Sequence, residues 1–558
     1  MPEQDSLRHL LDDLENRQLD RRSFLQRATA LGLSARAMTM LLATAGTAVP
    51  VSLKLAAAQE AGGSFTYAVT TDPETLDPQM TTNSAAYTVF DEIYSTLIYQ
   101  DLDLSYKGLL AESWTTSDDN LSVTFNLREG ITFHDGSPFN ADSVKYTFER
   151  LQNEGARSPI YEDVMKISEI EVVDDKTVTL TFSEPSATFF NAISNAYGAM
   201  LSENAVTAAG DDYGRQAVGT NAYKLGEWQT GSLVTLDAFD DFAAAPGYYE
   251  NQGRPYIDQL AFKVLPEAFT QVASLESGEI DAVDLTAADV PRFENDDRFE
   301  IYTSQSSGIA YLSLNMNRPK LSELPVRQAI AHAIDRDEIV TSIFDGGLAE
   351  PVYTALPPSI QGYSEELADE APHFDAEKAK SLLEEAGWVE GEDGIREKDG
   401  ERLSFTMHCT TSTTRAQMAT LMQAQLRNVG IEVEITQMEL AALLDFTPAG
   451  DHDMILLGFT WGEPDALYLF LSTDRIGTSN DAHYSNPDFD ELLRQGQQTL
   501  DMEQRLPIYH DAQRILIEDL PWVPLIMPIN KTAVNKRVEG IKVFPTGGLL
   551  LNDASVSD

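Results

Sequence analysis

The sequence predicts an α/β protein built as two lobes. Past residue 63 the first half is dominated by runs that alternate with period two. From Pro325 onward, helical and strand patterns take turns. A single cysteine, Cys409, excludes an internal disulfide, so both lobes depend on apolar burial. Cys409 itself reads as a small buried hydrophobe.

The chain of 558 residues opens on a segment that is not part of this fold. Asp20-Arg21-Arg22-Ser23-Phe24-Leu25-Gln26 ends a long polar stretch. Residues 28–55 follow, rich in Ala, Leu, Thr and Gly and interrupted by Arg36 and Lys54. The longest uncharged stretch, residues 37–53, has 17 residues of moderate hydropathy, whereas a membrane-spanning helix needs roughly 20 apolar ones. Ala56-Ala57-Ala58 then offers small residues for cleavage before Gln59. In this order the features read as a removable export signal of the twin-arginine type over residues 1–58, and they imply the twin-arginine export machinery as a partner. No cysteine near the cleavage site offers a lipid anchor. About 500 residues remain, enough for two or three domains.

The strands come first. Residues 64–69 (S-F-T-Y-A-V), 121–128 (L-S-V-T-F-N-L-R) and 177–182 (T-V-T-L-T-F) have the half-buried period, and residues 233–239, 259–264 and 300–302 continue it. Residues 325–344 have helical spacing and stop at Gly346-Gly347. Asp375 caps a helix with Ala379, Leu382 and Leu383 on its apolar face, ending at Gly387. Residues 415–429 form another helix, closed by Gly430 and followed by the alternating strand 431–435. Residues 453–459 (D-M-I-L-L-G-F) read as a fully buried strand. A helix over 502–518 leads into an extended, Pro-containing segment through Trp522-Val523-Pro524-Leu525.

The net charge is −50, with 89 acidic against 39 basic residues. Such a field repels nucleic acid and anionic membranes. The acids are spread along the chain, as in a protein adapted to a saline medium. Motifs for nucleophile elbows, phosphate loops, dinucleotide folds and zinc helices are missing. The seven histidines past residue 58 are scattered and read as turn or surface residues. The sequence offers no cofactor or metal site, and no carboxylate pair stands out for hydrolysis.

One stretch is more specific. Ala111-Glu112-Ser113-Trp114 is followed by Phe125-Asn126-Leu127-Arg128-Glu129-Gly130-Ile131-Thr132-Phe133-His134-Asp135-Gly136-Ser137-Pro138-Phe139-Asn140-Ala141-Asp142-Ser143-Val144. It reads as strand, turn at Asp135-Gly136, and a helix start capped by Asn140 or Asp142, with a structural role for His134 and Asp135. It resembles the signature of the family 5 extracellular solute-binding proteins, the peptide, nickel and opine receptors of ABC importers. Leu76-Asp77-Pro78, Leu275 to Asp281 (L-E-S-G-E-I-D), Tyr311-Leu312-Ser313-Leu314-Asn315 and Val326-Arg327-Gln328-Ala329-Ile330 extend the likeness. Gly219-Thr220-Asn221-Ala222-Tyr223 departs from the family's G-T-G-P-[YF].

The resemblance implies a two-lobed periplasmic-binding-protein fold of type II, of the large cluster with an extra inserted subdomain. Residues 60–85, 222–303 and 520–558 would form lobe I, 86–221 the insertion and 304–519 lobe II. Ser307-Gly308 and Leu520-Pro521 would be the hinge crossings. The implied function is a monomeric, non-enzymatic periplasmic receptor that encloses a peptide-like or opine solute and delivers it to an ABC permease driven by cytoplasmic ATPases. An oligosaccharide or metal-chelate receptor, an exported hydrolase and a sensory receptor remain alternatives. For ligand contact the resemblance points to Thr81, Thr82 and Asn83 after the first strand, and to Trp461 and Asp465 after the buried strand. Arg157 and Arg415 are candidates for a solute carboxylate. Trp461-Gly462-Glu463 stands where dipeptide receptors of the family place an ammonium-holding Asp after Trp-Thr-Gly, which weakens the case for dipeptides.

Overall fold

The computed structural model describes residues 62–557. The twin-arginine phrase and the cleavage site lie outside the described residues. Within them, no helix is long and apolar enough to cross a membrane.

The first lobe is organised on the parallel strands Ser64–Val69 and Gln259–Val264, in register from Ser64 opposite Gln259 to Val69 opposite Val264. Antiparallel Leu233–Ala238 and Tyr223–Gln229 extend one side. Ala282–Asp284 lies on the other side and leads to the long strand Trp522–Asn535. The alternation read in the sequence becomes two faces here. Phe65 and Val69 enter one apolar core with Leu236 and Phe262, whereas Ala68 enters a smaller core with Val283 and Phe293.

The second lobe has Gly308–Leu314 at its centre, flanked by Met454–Thr460 and by the start of Trp522–Asn535. Ser404–Thr410 and Glu432–Met438 complete it in parallel order. Helices Leu324–Ala333, Ala376–Glu385 and Thr413–Asn428 supply apolar residues to the core on one face. Cys409 is fully buried there. The region read as one helix over 325–344 is two, Leu324–Ala333 and Arg336–Ile343. The break falls where the Asp335 carboxylate accepts the Glu338 N–H and so caps a new helix.

The two sheets share one strand. Residues Trp522–Ile526 pair with Gly308–Leu314, whereas Ile529–Asn535 pair with Phe299–Gln305. The second crossing therefore falls between Pro528 and Ile529, not at Leu520-Pro521. The first residues of this strand belong to the second lobe's sheet rather than to lobe I. Pro528 has no N–H to donate, which leaves a gap in the ladder where a bend costs least. Ser306, in the other crossing, donates its N–H to the Pro528 carbonyl at 2.9 Å.

Residues 86–221 carry a separate four-stranded antiparallel sheet, ordered Ala111–Thr116, Ser122–Leu127, Thr177–Phe182, Ile167–Asp174. Val123, Phe125, Leu127, Val178, Leu180 and Phe182 point into its core, against the helix Ala141–Glu154. This region touches the second lobe. Gln361 donates to the Leu104 carbonyl (2.9 Å), Ala187 donates to the Gln497 carbonyl (2.9 Å), and Arg475 pairs with Glu162 (3.7 Å).

Candidate solute-binding cleft

Strand direction places the cleft. In the first lobe, Ser64–Val69, Gln259–Val264 and Ala282–Asp284 all run toward the crossing, because Asp284 lies opposite Thr532 and Ala282 opposite Val534. In the second lobe, Thr460 lies opposite Gly308, so the parallel strands end at Thr410, Met438 and Thr460 on the crossing side. The carboxyl ends of both sets of strands therefore face the same gap, the usual place for a ligand in open α/β sheets.

Arg415 and Trp461 meet at this edge. The Trp461 N–H donates to the Ser307 carbonyl at 3.3 Å, fixing the loop to the crossing. Arg415 leaves the first turn of Thr413–Asn428 and lies across Gly458. A Cβ at Gly458 would come within 2.6 Å of Arg415 Nη2 and of the Ile309 carbonyl. Glycine is therefore required on the strand for the guanidinium to rest on it. Gly458 remains solvent-exposed, so the guanidinium borders an accessible floor. Among the described residues its only polar contact is Met418 Sδ, at 3.9 Å. Burial lowers its pKa, opposed by Tyr311 and Cys409. A crowded cation without a counter-ion is costly unless an anion completes it.

The other candidates divide. Thr81 Oγ1 accepts the Asn83 N–H, and the Asn83 side chain accepts the N–H groups of Ala85 and Ala86, capping the helix Ser84–Phe90. Both are occupied by local structure, whereas Thr82 is exposed. Arg157 is exposed and has no polar partner among the described residues. No contact groups it with Arg415.

Asp465 does not stand free for a ligand cation, and its side chain does not cap the following helix. Tyr509 donates to its Oδ1 and Gln497 to its Oδ2, both at 3.0 Å. Arg505 reaches the same group through Tyr509 (3.1 Å) and pairs with Glu463 at 2.7 Å, both side chains almost fully buried. Burial, then the Glu463 charge, pushes Asp465 up to about 7. This network holds the loop that carries Trp461. No spacing signalled it, because Arg505 and Glu463 are far apart in the chain.

The His134-Asp135-Gly136 phrase is a junction. His134 Nδ1 accepts the Gly219 N–H at 3.2 Å and Nε2 donates to the Asn221 carbonyl at 2.9 Å. Burial lowers its pKa to about 4, so the ring is neutral. Gly136 takes φ +81°. The Leu76-Asp77-Pro78 phrase is a second junction, where Arg150 grips both Asp77 oxygens at 3.2 and 2.6 Å. His452 is fully buried rather than superficial, with Nε2 donating to the Asp481 carbonyl. No group of three His, Cys, Asp or Glu able to hold a metal occurs among the described residues.

Comparison with known proteins agrees with this architecture. Residues 105–479 match the model for bacterial extracellular solute-binding proteins, family 5. The oligopeptide-binding protein AppA of Bacillus subtilis is 28% identical over 512 residues, covering 88% of this chain and 91% of the relative. The glutathione-binding protein GsiB of Salmonella typhi is 30% identical over 494 residues, covering 86% and 92%. The solved structure of HbpA2 from Haemophilus parasuis superposes with a TM-score of 0.78 at 26% identity, covering 89% of this chain and all of that one. AppA bound to a nonapeptide gives a TM-score of 0.70 at 26% identity, covering 90% and 100%. The chain belongs to the family 5 solute-binding proteins and has their two-lobed fold. It is a binding protein of the kind that serves ABC importers.

Proposed function

We propose that this chain is an extracytoplasmic receptor for a short peptide or peptide-like solute with a free carboxylate. The observation that carries this is Arg415, a crowded guanidinium at the floor of the cleft whose only hydrogen-bond partner among the described residues is a thioether. A carboxylate matches its planar donors and supplies the missing charge. Trp461, fixed to the crossing through Ser307, lies at the same edge and offers a ring for stacking. The peptide-binding relatives AppA and GsiB support this solute class.

In this reading residues 62–85, 222–303 and 529–557 form lobe I, 86–221 the insertion and 304–528 lobe II. The lobes rotate about the two crossings, and closure presents the loaded form to a permease. The receptor acts as a monomer without catalysis. Arg21-Arg22 directs it through the twin-arginine route, and it is released into the periplasm. Mass spectrometry of solute released from the purified, denatured protein tests the assignment. A peptide or opine carrying a carboxylate is expected, and a neutral sugar would refute it. Replacing Arg21 and Arg22 by lysine should leave uncleaved protein in the cytoplasm.

A further inference from the structure

The insertion joins the two lobes unequally. With lobe I it shares one apolar core. Phe65, Leu236 and Phe262 of the lobe pack in the same cluster as Phe90, Tyr94 and Leu201 of the insertion. The buried Arg150–Asp77 pair and the Leu76 N–H, donated to the Gly214 carbonyl at 2.8 Å, add to that join. A shared core makes the insertion and lobe I move as one body.

Its contacts with lobe II are thin and polar. Gln361 donates to the Leu104 carbonyl, Ala187 donates to the Gln497 carbonyl, and Arg475 pairs with Glu162. Among the described residues, half-buried Leu500 is the only residue of lobe II packed against the apolar core of the insertion's sheet. A join of this kind can be made and broken without disturbing either core.

The contacts converge on the Trp461 loop. Gln497, whose carbonyl holds Ala187, also donates its side-chain amide to Asp465 at 3.0 Å. The helix Thr188–Ser194 begins directly after Ala187 and carries Asn191, which lies against Gly462. A Cβ at Gly462 would stand 3.2 Å from Asn191 Oδ1. Gly462 does not take a left-handed φ, so its small size serves this close approach rather than a turn. The insertion thus touches the neighbour of Trp461 at one end of the loop. Through Gln497 it holds Asp465 at the other.

We propose that the insertion is a clasp on the Trp461 loop. When the lobes close, Ala187 and Asn191 engage Gln497 and Gly462, position the loop and set how long the solute is held. Ala187, Asn191 and Gln497 are positioning residues, acting through Trp461 rather than on the solute. The clasp forms after the solute has entered, so it governs release and leaves capture unchanged. This rests on the reading of the chain as a receptor that closes on its solute.

Two variants test it. Ala187→Pro removes the donated N–H and suits the φ of −68° already present. The pair Asn191→Cys, Gly462→Cys offers a cross-link at the contact, and Cys409 is fully buried and does not compete. A pool of tripeptides with free carboxylates is the probe. In stopped-flow fluorescence, Ala187→Pro should release bound peptides at least fivefold faster than the wild type, with the association rate within twofold. If Ala187→Pro does not fold, Gln361→Ala, which frees Leu104, should speed release at least twofold. The cysteine pair should oxidise at least threefold faster with bound peptides than without. Unchanged release in the folded variant, or oxidation at one rate with and without peptides that bind, overturns the clasp and leaves the receptor reading intact. If no peptide binds, the peptide reading fails and the solute-free protein decides the clasp. There Ala187→Pro or Gln361→Ala, added to the cysteine pair, should slow oxidation at least threefold, and an unchanged rate overturns it.

Discussion

On the proposed function, Arg415 would place much of the specificity in a single side chain. Its guanidinium lies on a strand that would exclude any residue but glycine at position 458. Arg415→Met should weaken binding of a carboxylate-bearing peptide by about 2–4 kcal/mol in calorimetry. The solute-free melting temperature should hold or rise, because an uncompensated cation is removed. Unchanged affinity would dismiss Arg415 as a ligand contact. Gly458→Ala should cut affinity by about tenfold by displacing the guanidinium, with no loss of bound peptide charge selectivity. The sequence marked Arg415 by its place at a helix start. It could not show that the side chain would lack a partner, because that depends on which strands pass beneath it. Asp465 failed as a candidate for the same reason, since Tyr509 and Gln497 reach it only in the folded lobe.

Among the elements, the loop after Met454–Thr460 depends on the helix Met502–Asp519. Arg505 binds Glu463 at 2.7 Å, and its Nε also donates to the Gly496 carbonyl at 2.8 Å. Removing one partner leaves the other buried and unpaired, at a cost of about 3–5 kcal/mol. Arg505→Met should therefore lower the melting temperature and, by loosening the Trp461 loop, weaken solute binding. Adding Glu463→Met to that variant should recover most of the stability, as read by urea denaturation. A second substitution that makes no difference would show that the pair does not act as a unit. Most elements were legible from their period and caps. Asp375 caps its helix by accepting the Lys378 N–H, and Gly387 and Gly430 take left-handed φ values after their helices. The division of 325–344 was not legible, because Asp335 has the helical spacing of its neighbours and acts only as a cap.

Across the whole molecule, buried acids set the response to pH. A carboxyl raised by folding contributes stability below its unfolded pKa and loses it as pH climbs through the folded value. Asp465 does so from the free carboxylate range up to about pH 7, and Glu92 from that range up to about pH 8. His134 and His452, both lowered to about 4 by burial, oppose them, but only below the free imidazole pKa of about 6.5. Between pH 6.5 and 8.5 the acids therefore act without that opposition. The solute-free melting temperature should fall by about 2 °C across that window, read by differential scanning calorimetry at constant ionic strength. A rise would contradict the burial of these two groups.

The sequence by itself determined the α/β class, the order of strands and helices and the motif likeness to family 5. These are recorded in local periodicity, caps and contiguous phrases, which survive without a fold. The tertiary structure decided that the second crossing lies inside the strand Trp522–Asn535, because only pairing on both sides shows which lobe each residue joins. It also decided that Asp465 is occupied and that Arg415 has no counter-ion among the described residues. Whether a charge is satisfied depends on groups brought together from distant parts of the chain, and that is a property of packing rather than of spacing.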